Sequence, residues 1–293
     1  MLVMNADWDD LKTVLYLVRE ASLAGAGTAL GINYTTVARR VARAEQALDT
    51  ILFERLADGY RATEAGRRVA EYAAEMEARE LSLMRVLQGG DKRLSGALVV
   101  TAPQLLIGPY VAPVMARFNA THPEVNLHIK ASNELVDLTR READLAVRIS
   151  RDPGDALMGV RVSEQQTASF AAPAWATRLA GGAETVVDWI VYERFQDVPK
   201  AALARFPKSR VVMTCDDMAA MVGAAVAGLG LVRMPMFLGR VTPGLVQVPA
   251  LDPAPYADIW VVGHRDVWPS ARVAAFRDML VPHFRAHRAD FVA

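Results

Sequence analysis

One cysteine, Cys215, stands in 293 residues, so neither an internal disulfide nor a cysteine metal cluster can be built, which fits a reducing compartment. Uncharged apolar runs of about eighteen residues, the length that spans a bilayer, are also missing. The opening "MLVMNADWDDLK" carries acids where an export signal needs a basic start and a long apolar stretch. The expected location is therefore the cytoplasm, with no membrane partner. Excess charge is lacking as well. With 33 basic and 33 acidic residues, nothing pulls the whole chain toward nucleic acid or membrane, so any such attraction must be local. In residues 1–66 the basic Lys12, Arg19, Arg39, Arg40, Arg43, Arg55 and Arg61 are outnumbered by acids. What the chain does have is apolar residues, 52% of the total, enough for two or three compact units.

Leu11, Val14, Leu15 and Val18 recur at helical spacing, which predicts an amphipathic helix over 9–20, with Asp9 or Asp10 at its electropositive start. Ser22 is suited to cap a short second helix carrying Leu23, Ala26 and Leu30, and "GIN" at 31–33 turns the chain into a third. Gly25 and Gly27 each cost that second helix about 1 kcal/mol relative to alanine, so a closely crossing third helix is expected against both. In the third helix Val37, Val41, Ala44 and Leu48 form a narrow inward stripe at about 100° per residue. Thr35, Thr36, Arg39 and Arg43 fall on the opposite side, flanked by Arg40. Short polar side chains on the first turn and guanidinium groups beyond them suit a major groove; an ordinary solvated basic face has the same pattern. The following "ILFERLADGYRATEAG" predicts core anchors at Leu52 and Phe53 and a two-stranded wing carrying Arg55 and Arg61 toward a phosphate backbone.

On "DWDDLKTVLYLVREASL", "ALGINYTTVARRVARAEQALDTILFER" and "ATEAGRRV", residues 5–96 resemble the winged helix-turn-helix and linker helix of LysR-type transcriptional regulators. The resemblance implies DNA contact from Asn33, Tyr34, Thr35, Thr36, Arg39, Arg40, Arg43, Arg55 and Arg61. Family members usually carry Ser-Gln where this chain has Asn33 and Tyr34, serine at Ala38 and proline at Glu64. The binding mode carries over; the base preference does not.

From Glu64 to Gln88 no proline interrupts, and Val69, Met76 and Leu83 lie seven apart, with Tyr72, Ala73 and Leu87 near the same side. A long helix with such a seam is marginal alone, so self-association through Val69, Tyr72, Met76, Leu83 and Leu87 is expected, against the simpler option of packing on its own domain. "QGGDKRLSG" then reads as a hinge.

After the hinge, β-rich runs at 97–102, 125–132, 143–150, 189–193, 211–214 and 258–263 alternate with helical stretches at 109–119, 134–142, 217–228 and 270–286. That alternation predicts parallel sheets with right-handed crossovers, whose ligands sit beyond the carboxyl ends of the strands. "LSGALVVTAP", "HPEVNLHIKASNELVDLTRREADLAVRI" and "AAVAGLGLVRMP" resemble the effector domain of the same family, two α/β lobes built like periplasmic binding proteins. The implied division is a DNA-binding domain at 5–63, a linker helix at 64–90, a hinge at 91–96, lobe I at 97–163 and 267–293, and lobe II at 164–266. The resemblance implies effector contacts from Ala102, Pro103, Gln104, Ser132, Asn133, Arg148, Tyr192 and Thr214, whose amides, hydroxyls and guanidinium suit a small carboxylate.

Other features point elsewhere. "GLGLVR" lacks the third glycine of a dinucleotide fingerprint and follows a helix instead of opening one. Asp216 and Asp217 sit where a helix start explains them, and His283 with His287 has no third metal ligand nearby. Since no catalytic constellation is discernible, no enzyme activity, cofactor or metal is expected. Expected partners are double-stranded DNA with an imperfect inverted repeat, a small-molecule effector, further copies of the chain as a homodimer or dimer of dimers, and RNA polymerase. The competing reading is a cytoplasmic small-molecule-binding protein whose N-terminal helices only dimerise.

Overall fold

A computed structural model describes residues 6–56, 59–89, 94–132, 143–154, 157–182 and 185–293. The chain divides into two compact units, Met1–Leu87 and Gln88–Ala293.

In the first unit, helix α1 (Trp8–Glu20) places Asp9 and Asp10 in its first turn and closes on Ala21 in the left-handed region. The side chain of Ser22 accepts from Gly25 N at 3.1 Å and caps α2 (Leu23–Leu30). Asn33 caps α3 (Tyr34–Leu48). Val14, Leu17, Ala26, Val37, Val41, Ala44, Leu52 and Phe53 form one buried cluster, so the inward stripe of the third helix lies where its spacing predicts. The two glycines of α2 divide. A Cβ on Gly27 would lie 2.8 Å from Ile32 O and 3.4 Å from Tyr34 N, a close approach to the turn that opens α3. On Gly25 it would meet Ser22 and Glu20 instead, so that glycine relieves crowding at its own helix start and the expected third-helix contact fails there.

Strands β1 (Phe53–Leu56) and β2 (Gly59–Ala62) pair antiparallel, Arg55 opposite Tyr60 and Glu54 opposite Arg61. The Oγ1 of Thr63 accepts from Gly66 N at 3.0 Å and starts α4 (Glu64–Gly89). One side of α4 packs on α1: Ala70 and Ala73 cluster with Leu15, and Arg19 pairs with the buried Glu77 at 2.9 Å. Lys12 Nζ and Trp8 Nε1 both donate to Glu80 at 3.1 Å, and the Lys12 ammonium holds that carboxyl below its ordinary range.

The second unit runs β3 (Gly96–Ala102), a short α5 (Gln104–Leu106), a π-helical turn (Ile107–Val111), α6 (Ala112–Thr121), β4 (Val125–Ala131), β5 (Leu145–Ser150), β6 (Leu157–Ser163) and β7 (Gln166–Ala171). It continues through α7 (Pro173–Leu179), β8 (Asp188–Tyr192), α8 (Lys200–Arg205), β9 (Arg210–Cys215), α9 (Met218–Val226), β10 (Val232–Pro235) and α10 (Met236–Val241). The chain closes with β11 (Val246–Gln247), β12 (Ala254–Pro255), β13 (Asp258–His264), α11 (Ala271–Ala286) and α12 (Arg288–Phe291). The first sheet has the order β4-β3-β5-β13-β6. Around β7 lie β10, β11 and β12, while β8 pairs with β9 and touches the β10 side through a bridge from Trp189 to Leu231.

The sheets are mixed, which corrects the parallel expectation. β4, β3 and β5 run parallel, as do β8 and β9; β13 opposes both β5 and β6, and β10 opposes β7. The chain leaves the first sheet after β6 and returns to it as β13, so the returning strand runs opposite to both its neighbours. That strand lies within 164–266, assigned from sequence to lobe II, yet it is hydrogen-bonded into the sheet of lobe I. One cluster joins the two sheets, from Leu98, Val100 and Phe276 on one side to Phe170, Val232 and Phe237 on the other; a second around Trp175 and Trp189 belongs to the β7–β8 side. Among the described residues, no helix is long and apolar enough to cross a membrane.

Candidate nucleic-acid interface and ligand cleft

The outer side of α3 is built over its buried valines. Thr35, Arg39, Ala42 and Gln46 are all exposed and share that side, so Gln46, which the sequence reading passes over, continues the line three turns from the helix start. Tyr34, the first helical residue, is 58% exposed. Asn33 Oδ1 accepts from both Thr35 N and Thr35 Oγ1 at 2.9 Å, so these two candidates are tied together as a cap. Thr36 is half-buried on the flank toward α1.

The five arginines on or beside this surface are not equivalent. Arg39 makes no hydrogen bond or ion pair with the described residues. Arg40 donates to Asp9 Oδ2 at 2.7 Å. Arg43 donates through Nε to Asp10 Oδ2 at 3.0 Å and through Nη2 to Asp10 Oδ1, and these bonds push its pKa further above the ordinary range. On the wing, Arg61 donates to Glu54 Oε2 through Nε at 3.1 Å and Nη2 at 2.6 Å, which likewise raises its pKa. Arg55 is exposed and has no partner among the described residues.

Two anchors set the wing against the helices. Glu45, at the last turn of α3, accepts from Leu52 N at 2.8 Å and Phe53 N at 3.2 Å. Tyr60 N donates to Ala21 O at 3.1 Å, and Gly59 passes so close that a Cβ would lie 2.8 Å from that carbonyl. A glutamate inside a basic helix carries no sign in sequence of such a role.

Of the five candidate self-association residues, Tyr72, Met76, Leu83 and Leu87 are exposed along one side of α4. Val69 is half-buried and packs against the core of its own unit. It joins Tyr72, Leu48, Leu52 and Ala65 in lining an open groove of about 580 Å³ beside the stripe.

In the second unit the parallel register gathers three ligand candidates. Ala102 pairs with Ala131, and Thr101 with Ala146. Carried one residue beyond the first pair and two beyond the second, this register brings Pro103 and Ser132, just past their strands, level with Arg148 inside β5. Ser132 N donates to Ala102 O at 3.1 Å, which fixes that corner. Gln104 is exposed at the start of α5. Asn133 and the helix expected at 134–142 lie outside the described residues. Across the shared core, Tyr192 pairs with Cys215 in the β8–β9 register and both pack against the joining cluster, together with Met213 and Met218. Thr214 is exposed between Met213 and Cys215 and takes no part in that cluster. Thioether and thiol side chains thus stand where the sequence reading puts a hydroxyl.

The features that point elsewhere in sequence have structural explanations. Asp217 Oδ1 caps α9 by accepting from Ala220 N at 2.8 Å, and Gly228 ends the turn beyond that helix in the left-handed region. The rings of His283 and His287 lie 4.3 Å apart, and no group of three metal-binding side chains occurs among the described residues.

Comparison with known proteins matches residues 8–67 to the family model described as "Bacterial regulatory helix-turn-helix protein, lysR family" and residues 91–285 to "LysR substrate binding domain". An HTH-type transcriptional regulator of Xanthomonas campestris pv. campestris is 30% identical, the alignment covering 95% of this chain and 86% of that protein. The mau operon transcriptional activator of Paracoccus denitrificans is 31% identical over 50% of this chain and 51% of its own length. Among solved structures, the full-length Vibrio cholerae virulence activator AphB has the same fold, with a TM-score of 0.55 at 20% identity, covering 94% of this chain and 99% of that one.

Proposed function

This chain belongs to the LysR family of bacterial transcriptional regulators, a DNA-binding and effector-responsive family of non-enzymes, and from that premise we propose how its own residues divide the work. Residues 5–63 bind DNA, 64–90 associate two copies, and the chain from β3 onward forms two lobes, with β13 counted in the first; of the hinge expected at 91–96, residues 91–93 lie outside the described residues and Gly96 already belongs to β3. Helix α3 enters the major groove. Tyr34, Thr35, Thr36 and Arg39 face base edges, while Asn33 fixes the first turn. Arg40, Arg43, Arg55 and Arg61 meet the groove rim and the phosphates. The observation that carries this reading is the exposed line of Thr35, Arg39 and Gln46 directly behind the buried Val37, Val41 and Ala44.

Tyr72, Met76, Leu83 and Leu87 meet the same stripe of a second copy, and the association extends to a homodimer or a dimer of dimers. A two-fold pair places its recognition helices about 34 Å apart, so the operator is an imperfect inverted repeat. The effector is a small anion with a carboxylate, held by Ser132, Arg148 and Gln104 on one lobe and approached by Tyr192 from the other. Differential affinity of that ligand for two arrangements of the oligomer alters DNA geometry and, with it, the encounter with RNA polymerase.

The test is a gel-shift assay on the DNA upstream of the protein's own gene, with unrelated DNA as competitor. Retarded DNA that resists the competitor supports the reading. Equal affinity for both DNAs overturns it.

A further inference from the structure

The most unequal pair of contacts on the recognition surface is the one between α3 and the acids of α1. Asp9 gives Arg40 a single contact, and the Asp9 side chain is 62% exposed. Asp10 is only 4% exposed, and both its oxygens are occupied by one edge of Arg43, Nε and Nη2. The Arg43 side chain itself remains 51% exposed. A guanidinium is a planar fork with two usable edges. Once the Nε–Nη2 edge is taken, the terminal edge carrying Nη1 points away from the acid that holds it.

The oxygens of Asp10 have no other hydrogen-bond partner among the described residues, so pulling Arg43 off leaves this largely covered carboxylate unpaired, which is unfavourable unless DNA offers the arginine more. DNA therefore does not compete Arg43 away from its partner; it meets the arginine with the partner in place. Arg39 differs in kind, because its guanidinium has no partner among the described residues.

We infer that Asp10, on a helix that is not the recognition helix, is a positioning residue for DNA binding: it holds Arg43 by one edge and presents the other to a pair of acceptor oxygens or nitrogens on the duplex. This rests on the proposed placement of α3 in the groove. The acceptors are either a guanine edge or a phosphate, chemistries that a bidentate arginine serves equally well.

The experiment measures affinity of the full-length protein for its operator and for random DNA, across salt, in Asp10→Asn, Arg43→Ala, Arg43→Lys and the double variant Asp10→Asn/Arg43→Ala. Operator affinity falls about ten-fold or more in Asp10→Asn although the protein has gained positive charge, and the effect vanishes in the Arg43→Ala background. Arg43→Lys, which keeps the charge and loses the fork, is as weak as Arg43→Ala. Loss confined to operators with one particular base pair identifies a guanine; equal loss on all sequences identifies a phosphate. Tighter binding of every DNA by Asp10→Asn means that Asp10 merely competes for the arginine, and overturns the inference. So does an undiminished effect of Asp10→Asn without Arg43. Should Asp10→Asn fail to fold by circular dichroism, Arg43→Lys decides alone: full operator affinity refutes the positioning role. Absence of operator binding by the parent protein refutes instead the groove placement itself.

Discussion

Glu45 ties the end of the recognition helix to the wing, and its removal has a calculable cost. Its carboxylate accepts from two consecutive backbone amides, Leu52 N at 2.8 Å and Phe53 N at 3.2 Å. Both residues are buried, Leu52 wholly, so the amides have little access to water if the acceptor is lost. A hydrogen bond to a charged group contributes about 1.5–3 kcal/mol net, and an orphaned buried donor costs about 1–3 kcal/mol. The 3.2 Å bond belongs at the low end of that range. Glu45→Ala therefore destabilises the first unit locally by about 2–4 kcal/mol, whereas Glu45→Gln keeps an oxygen that can accept from both amides, since both donate to the single Oε1, and loses only the charge assistance, about 1 kcal/mol. Since two units unfold in one chain, a single melting temperature does not isolate the effect, and amide hydrogen exchange does. Exchange at residues 52–56 and 59–62 is expected to accelerate by about thirty-fold or more in Glu45→Ala, with β3 and β5 unchanged. Acceleration below about two-fold would mean that the wing is seated by Leu52 and Phe53 packing alone and would refute the reasoning.

Three further outcomes follow. Burying an exposed leucine contributes about 1–1.5 kcal/mol per copy, so Leu83→Glu with Leu87→Glu weakens self-association by at least about a hundred-fold in sedimentation equilibrium; an unchanged dissociation constant removes the stripe from the interface. A Cβ at Gly66 would lie 2.1 Å from Leu52 O, so Gly66→Ala displaces the start of α4 and abolishes operator binding while the second unit keeps its melting transition; normal binding contradicts the packing. In a thermal-shift screen of small carboxylates, a ligand at about a hundred times its dissociation constant stabilises the protein by about 2.7 kcal/mol. That stabilisation disappears in Arg148→Ala, and a hit that survives the substitution places the carboxylate elsewhere.

What can be read from sequence depends on how local its physical cause is. The inward stripe of α3, the Ser22 and Asp217 caps and the long α4 each arise from residues within one or two turns, and the periodicity carries them. The short elements β6, β7, α7, α8, β10 and α10 are not distinguishable, because segments of four to seven residues are too short to show a period. Asp9 and Asp10 are legible only as charges at a helix start. Their partners lie 31 and 33 residues onward, and nothing in the spacing pairs them. The same holds for Glu45 and the amides of Leu52 and Phe53. In the cleft, strand alternation and an irregular β8–β9 register decide that Met213 and Cys215 face the shared core while Thr214 does not. A sequence-level count of strand ends misses that distinction.

Selection of binding sites from random duplex DNA, performed in parallel with the parent protein and Arg39→Ala, addresses the groove placement of α3 most directly. The parent is expected to enrich two inverted half-sites centred about 10 base pairs apart, and Arg39→Ala to lose preference at one base pair in each half while still binding DNA. Identical enriched sequences from both proteins, or none from the parent, would contradict it.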